Sequence, residues 1–337
     1  MIRVVLIGCL LGLLGFACQE DLEAISQVTK FRVLAVQTDP PEVNPGESVA
    51  LRVLVADPDP DPAAPKFGPP HRRITAVGLA VSGLVTPSSA EIEEPDLAWP
   101  PFVATADGDG VIDLAVLGVP PDVTELITAE QPELVVTAVL LICAGGDDGV
   151  QNALLQALLA AGQDSGLDNP GDLVEVCTTG GADEGIVAFK TFDITDRLPG
   201  DGNRNANPEI SHVVFDDKDF LGVPDDGYEP VFQCTGSDGC REGVLLEAYL
   251  AQESFQIYEK VVFGEVEVTD ERLYVSWFTT GGGFTADRSG NDGTSEDPFE
   301  NDWLPPRDGG RFQLWVVAHD IRGGVSWVRH EIEAVTP

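Results

Sequence analysis

Short runs of alternating apolar and polar residues fill the chain from residue 31 onward, separated by clusters of Pro, Gly, Asn and Asp. Alternation with a period of two is typical of strands that bury one face, and frequent turn residues favour antiparallel sheets. The runs that predict strands are Phe31–Val36, Val49–Val55, Ile74–Ser82, Gly110–Leu117, Leu134–Cys143, Ile186–Ile194, Ile210–Phe215, Val244–Leu250, Arg272–Thr279, Phe312–Ala318 and Val325–Ile332. The pattern predicts an all-β chain built as antiparallel β-sandwiches.

The two halves of the chain repeat one pattern. "LVVTAVLLICAGG" at 134–146 matches "RFQLWVVAHDIRGG" at 311–324, because each is an alternating apolar strand that ends in a glycine turn. "ITAVGLAVS" at 74–82 similarly parallels "RLYVSWFTT" at 272–280. We therefore predict two tandem sandwiches, over residues 31–197 and 209–337, joined by a linker at 198–208.

The last hairpin of the first sandwich carries an insertion that the second sandwich lacks. The insertion covers residues 144–185, whereas the second copy turns within a few residues at 320–324. Within it, Asp148–Gly162 has leucines at helical spacing, and Asp147 or Asp148 is a plausible N-cap. We expect a helical insertion at one end of the first sandwich.

The cysteines predict disulfides and export. Cys143 and Cys177 flank the insertion, and Cys234 and Cys240 enclose the turn-forming sequence "TGSDG". Two local pairs are expected in an oxidising compartment. A zinc site is the alternative for the second pair, but it needs further ligands, and His212 is distant in sequence.

The charge balance narrows the possible partners. Nineteen Lys and Arg against 57 Asp and Glu give a net charge of −38. Such a surface repels nucleic-acid phosphates and anionic lipid headgroups, so we expect no nucleic-acid partner. It attracts cations such as Ca²⁺, although a merely solubilising acidic surface explains it equally well.

The N-terminus predicts an exported protein. An apolar run from Val4 to Cys18 follows a single arginine; it is too short to span a bilayer comfortably but fits a signal-peptide core. "Gly-Phe-Ala-Cys" at 15–18 resembles the cleavage box of bacterial lipoprotein signal peptides. The resemblance implies a signal peptide at 1–17, lipidation of Cys18 and, because Gln19 is not Asp, the outer membrane. A conventional signal-peptidase cut is the alternative, and residues 18–30 are predicted to form a tether.

Three stretches resemble uncharacterised Gram-negative surface lipoproteins that carry immunoglobulin-like (cadherin/PKD-like) repeats. They are "FRVLAVQTDPPEVNPGESVALRVLVADPD" at 31–59, "NANPEISHVVFDD" at 205–217, and the segment from Glu271 to Trp327. The resemblance implies immunoglobulin-like sandwiches and a non-catalytic structural or binding module of the cell envelope. The implied partners are the membrane, through a lipid anchor, and an envelope protein or polymer on the periplasmic or cell-surface side.

Calcium is the candidate cofactor. Oxygen-bearing side chains occupy alternate positions of the linker at Asp201, Asn203, Asn205, Asn207 and Glu209. Hard cations are bound by such oxygen ligands. The segment also resembles the calcium-binding linker of cadherin-like repeats, except that Arg204 stands where an acid is expected. A calcium-dependent adhesion module is therefore the second functional hypothesis, and a solvated Asn/Gly linker is the structural alternative.

A secreted enzyme is the third hypothesis, and the sequence gives it little support. The four histidines form no H-E-x-x-H pattern, and no G-x-S-x-G or Walker motif is present. Paired carboxylates occur by chance among 57 acidic residues, so they do not indicate a glycosidase. The acidic stretch 285–303 is predicted to be a loop anchored by Trp303.

Overall fold

Every predicted strand is present in the computed structural model. It describes residues 25–59, 61, 67–82, 97–106, 108–127, 133–146, 149–154, 156, 170–196, 204–215, 218–220, 231–233, 243–262, 265–290 and 297–335. The described chain is mostly β-strand, in antiparallel sheets that form immunoglobulin-like sandwiches. The predicted fold class is confirmed.

The first sandwich faces a sheet of order β1-β3-β6 against a sheet of order β2-β8-β7-β4-β5. Its strands are β1 (Arg32–Asp39), β2 (Glu42–Val43), β3 (Ser48–Ala56), β4 (Ile74–Ser82), β5 (Phe102–Thr105), β6 (Val111–Gly118), β7 (Glu133–Ala144) and β8 (Glu184–Thr195). Alternate residues of β3 fill the space between the sheets, because successive side chains of a strand point to opposite faces. A 3₁₀ turn at Pro121–Leu126 closes one end of this core.

The second sandwich faces a sheet of order β10-β9-β12-β18-β16 against a sheet of order β11-β20-β19-β15-β17. Its strands are β9 (Ile210–Phe215), β10 (Lys218–Phe220), β11 (Val231–Gln233), β12 (Val244–Leu250), β15 (Leu273–Thr279), β16 (Gly283–Phe284), β17 (Arg288–Gly290), β18 (Phe299–Leu304), β19 (Gly310–Asp320) and β20 (Val325–Val335). A 3₁₀ turn at Gln252–Ser254 leads to a separate hairpin, β13 (Ile257–Val262) and β14 (Glu265–Asp270).

The two sandwiches share one topology, as the sequence repeat predicts. In each, a short strand pairs in parallel with the final strand: β2 with β8, and β11 with β20. The order β8-β7-β4-β5 in the first sandwich corresponds to β20-β19-β15-β17 in the second. Likewise β1-β3-β6 corresponds to β9-β12-β18. The tandem arrangement follows from the same pairing pattern formed twice.

The insertion in the β7–β8 hairpin is helical where it is described. Residues 149–154 are helical, within the predicted helix, and a second helix that the sequence did not predict, α1, spans Pro170–Thr179. Cys177 on α1 forms the predicted disulfide with Cys143 on β7, with an S–S distance of 2.00 Å. Leu154 packs in the same cluster and is fully buried. No helix in the described ranges is long and apolar enough to cross a membrane.

The acidic stretch 285–303 is not simply a loop, and that expectation was wrong. Its end forms β18, in which Phe299, Asn301 and Trp303 are buried between exposed residues. Trp303 is fully buried, so the predicted anchor is a core residue of the second sandwich. The apolar alternation was hidden because the buried position between Phe299 and Trp303 is the polar Asn301, whose amide donates to the Ala286 carbonyl at 2.6 Å.

Candidate functional site: the junction between the sandwiches

A hydrophobic cluster joins the two sandwiches. Its members are Val28, Leu34, Ala35, Leu54 and Ala56 on one side, and Phe278, Trp315, Val317 and Val325 on the other. All are buried, with exposed fractions of 9% or less. Each large apolar side chain removed from water in this way contributes on the order of 1.5–3 kcal/mol. The junction therefore has a core of its own, separate from the two sandwich cores.

The segment before β1 is part of this junction. Val28 donates its backbone N–H to Thr279 at 2.8 Å, and Thr279 donates to Ser26 at 2.9 Å. The Ser26 N–H is bound by the Asp287 carboxylate at 3.1 Å. The described end of the predicted tether, residues 25–30, therefore lies along the second sandwich before the chain enters the first. It does not hang free there.

The linker is bound to the first sandwich through two glutamates. Arg204 forms an ion pair with Glu47 and donates from Nε to the Glu42 backbone carbonyl at 3.1 Å. The Asn205 N–H donates to the buried Glu42 carboxylate at 2.8 Å, and the Thr195 hydroxyl donates to the same carboxylate at 2.7 Å. Hydrogen bonding from Arg204 lowers the pKa of Glu47 below its usual range. The linker thus has charged partners on the first sandwich.

Asn207 connects the two sandwiches directly. Its side-chain Nδ2 donates to the Thr38 carbonyl on β1 at 2.8 Å. Its Oδ1 accepts the Val325 N–H on β20 at 2.9 Å. One amide therefore satisfies backbone groups on both sides of the junction, which fixes the approach of one strand to the other.

Gln37 makes a second direct connection. It donates from Nε2 to the Val325 carbonyl at 2.5 Å, and its Oε1 accepts from Arg52. The Arg52 guanidinium lies 5.6 Å from the centroid of the Trp327 ring on β20. Two side chains therefore bond to the Val325 backbone. Gln37 belongs to β1 itself, and Asn207 is hydrogen-bonded to β1 through the Thr38 carbonyl. The start of β20 is held on both its N–H and its C=O.

Lys190 places a buried amine at the junction. It extends from β8 and donates from Nζ to the Gly323 carbonyl in the β19–β20 turn. Burial lowers the pKa of Lys190 to about 8, against a smaller opposing effect of Asp320. Burial also raises the pKa of Asp320, and lowers that of the neighbouring His319 to about 4 with help from the Lys190 charge. These groups form an electrostatically coupled set between the sandwiches.

Ion pairs and a small cleft border the apolar cluster. The cleft has a volume of about 280 Å³ and is lined by residues of both sandwiches, including Phe67, Asp109 and Trp315. Two of the lining residues contact arginines of the second sandwich: Asp109 pairs with Arg329 on β20 at 2.7 Å, and the Phe67 ring centroid lies 4.2 Å from the Arg311 guanidinium. Charged side chains thus add contacts between the sandwiches at the edge of the cluster.

The structure brings together part of the predicted calcium site. Asn205, Asn207 and Glu209 lie at the junction, whereas Asp201 and Asn203 lie outside the described residues. Of the described members, Asn207 bonds to protein groups through its side-chain amide. Asn205 and Glu209 are bonded through their backbone N–H groups, Glu209 to the Ser254 hydroxyl at 2.9 Å. Across the described ranges, no group of three or more His, Cys, Asp or Glu side chains could hold a metal ion. Calcium binding stays a prediction.

Other predicted site residues fall outside the described ranges. They are Cys18, Cys234 and Cys240. The junction residues Glu42, Gln37 and Lys190 were not predicted from the sequence. A signal did exist: β3 is apolar on its second face at Leu54 and Ala56, and β19 carries the unbroken apolar run "LWVVA" at 314–318. A strand that is apolar on both faces must be covered on both faces.

Comparison with known proteins yields only distant structural likeness. No family model matches the chain, and no curated protein matches it. The D0–D1 domain of intimin aligns over 90% of this chain and 96% of its own length, with 10% identity and a TM-score of 0.20. The adhesin InvE of Yersinia pseudotuberculosis aligns over 88% of this chain and 58% of its own, with 10% identity and a TM-score of 0.19. A protein of unknown function from Porphyromonas gingivalis W83 aligns over 90% and 98%, with 11% identity and a TM-score of 0.20.

Proposed function

We propose that this protein is a non-catalytic module of the cell envelope, anchored in the outer membrane by lipid on Cys18. In this proposal the two sandwiches act as one rigid body that holds a binding surface away from the membrane. Its partner is an envelope protein or polymer. The direct contacts between linker and sandwiches at the junction support this function ahead of a calcium-dependent adhesion module.

The observation that carries the proposal is the bonding of the linker. Arg204 and Asn205 bind the first sandwich, and Asn207 bridges β1 and β20. In a linker stiffened by calcium, oxygen side chains would instead be directed at the ion. Here Arg204, the Asn205 N–H and the Asn207 amide bind groups of the protein, and in this proposal these contacts fix the shape of the module.

The acidic composition supports a position at the cell surface or in the periplasm. The full chain's net charge of −38 keeps its surface away from anionic headgroups, and in this proposal the attachment comes from covalent lipid on Cys18. The oxidised Cys143–Cys177 pair fits an oxidising compartment outside the cytoplasm.

Metabolic labelling with an alkyne fatty acid tests the anchor. The full chain is expressed in a Gram-negative host, and we expect label on the protein and recovery in the outer-membrane fraction. Cys18→Ser should abolish both, whereas the matched control Cys9→Ser, in the apolar leader, should keep them. Labelling that persists in Cys18→Ser, or an unlabelled wild-type protein, would rule out the proposed anchor.

A further inference from the structure

The β13–β14 hairpin stands apart from both sheets of the second sandwich. Its strands pair only with each other in the described structure, in a regular antiparallel register from Ile257↔Asp270 to Val262↔Glu265. Alternation along the strands places Ile257, Val266 and Val268 on one face and Tyr258 on the other. The two faces have very different surroundings.

The Tyr258 face fixes the hairpin to the sandwich. Tyr258 is buried, and the Arg322 guanidinium lies 4.1 Å from the centroid of its ring. Arg322 also forms an ion pair with the buried Glu271 at 2.5 Å and donates to the Gln256 side chain. Because Glu271 directly follows β14 and Gln256 directly precedes β13, this cluster clamps the base of the hairpin.

The opposite face exposes apolar side chains to solvent. Ile257, Val266 and Val268 are 60%, 63% and 68% exposed, and all three are β-branched. Scattered single apolar residues are ordinary on a protein surface, but three on one face of a hairpin form a patch. A clamped base keeps this patch in a fixed conformation, which lowers the entropy cost of binding.

We propose that the hairpin binds an extended, basic segment of another protein, which adds as a third strand along β14. Among the strands that the structure describes, β14 pairs only with β13, so its outer edge can accept a new strand, and β14 contains no proline to block pairing. Along β14, Val266 and Val268 lie on one face, and the exposed acid Glu267 lies between them on the other face. A segment that alternates apolar and basic residues matches both features.

Charge selects this occupant over a second copy of the chain. Each copy carries a net charge of −38, so two acidic hairpins would repel each other. A basic strand instead gains from Glu267, and its apolar side chains pack beside Val266 and Val268 on the other face. This inference rests on the proposed binding function and names its surface, but it does not depend on the lipid anchor.

Fluorescence anisotropy with a defined peptide tests the surface. The probe is a labelled peptide of four Lys-Val repeats, titrated with the purified mature protein at physiological salt. We expect binding that weakens about tenfold or more in Val266→Thr/Val268→Thr, a near-isosteric change that removes apolar contact. Val116→Thr is the matched control, because Val116 is 74% exposed on β6 of the first sandwich. It should leave the affinity unchanged.

Two further measurements make the result decisive. A Lys-Ser repeat peptide should bind much more weakly than the Lys-Val peptide, and hydrogen exchange should show new protection of the β14 amides on binding. Equal binding of both peptides, equal binding by the Val266/Val268 variant, or protection elsewhere than β14 would overturn the proposal. An unchanged melting temperature of the variant shows that lost binding is not unfolding. The labelling of Cys18 is unaffected by any of these outcomes.

Discussion

Single residues decide the electrostatics of the junction, and Lys190 shows this most clearly. Its amine comes from one sandwich and its acceptor, the Gly323 carbonyl, from the other. Desolvation of a buried ammonium group disfavours its charged form, and one hydrogen bond to a carbonyl does not replace water fully. Because the second sandwich contributes to the burial of Lys190, the free energy needed to desolvate its ammonium group opposes the docking of the two sandwiches.

Lys190 predicts an unusual rise of stability in mild alkali. Its pKa is about 8 in the folded protein and 10.5 in the reference state, so the unfolded chain binds more protons between these values. Stability from this group therefore increases as pH rises from 8 to 10.5, by up to about 3 kcal/mol, and the full penalty is present below pH 8. Urea unfolding of wild type and Lys190→Met from pH 7 to 10.5 measures the difference. Parallel pH profiles would show that Lys190 is not desolvated.

Elements of secondary structure were predictable in proportion to their length and pattern. The long strands β3, β7 and β19 carry apolar runs that any packing must bury, and all were predicted. The short strands β2, β11 and β16 were missed, because two or three residues carry no period and form only where a neighbouring strand is available. Helix α1 was missed because its sequence, "PGDLVEVCTT", has only a few apolar residues.

The hairpin β13–β14 was also missed, although its sequence alternates. "EVEVTD" has the period of a strand, but its valines at 266 and 268 are exposed in the described structure.

The position of the junction could not be predicted either, because it depends on which strand faces meet after each sandwich has formed. The sequence could not distinguish a metal ligand from a bridging amide at Asn207, because an amide oxygen serves a cation and a backbone N–H equally well.

The disulfide between β7 and α1 makes a prediction at the element scale. It closes a loop with a sequence separation of 34, which restricts the unfolded chain by about 3–4 kcal/mol in the chain-entropy model. Cys143→Ala/Cys177→Ala should lower the free energy of urea unfolding by about that amount. Hydrogen exchange should show the loss first in the helices of the insertion. An unchanged unfolding free energy would mean that native packing alone holds the insertion.

At the scale of the whole molecule, the junction sets the orientation of one sandwich relative to the other. The apolar cluster, the Asn207 bridge and the linker ion pair act on the same pair of sandwiches. Two modules joined by a free linker would sample many orientations, whereas these contacts select one. A rigid body of this kind can hold the β13–β14 hairpin at a defined position relative to the lipid anchor that we propose at Cys18.

Reversing the charge of Arg204 tests whether the linker ion pair helps to hold the two sandwiches in one orientation. Arg204→Glu places an acid beside Glu47 and Glu42, so like charges should open the junction. Arg272→Glu is the matched control, since Arg272 is exposed and makes the same change in net charge. The first variant should broaden the distribution of inter-sandwich distances, and the second should not.

Electron–electron dipolar spectroscopy measures that distribution and tests the rigid-body account most directly. Spin labels are placed at Val116 in the first sandwich and Leu304 in the second, both exposed, as cysteine variants in a Cys18→Ser background. The account predicts one narrow distance distribution that is the same in EDTA and in millimolar Ca²⁺. A broad distribution, or one that becomes narrow only with Ca²⁺, would contradict it.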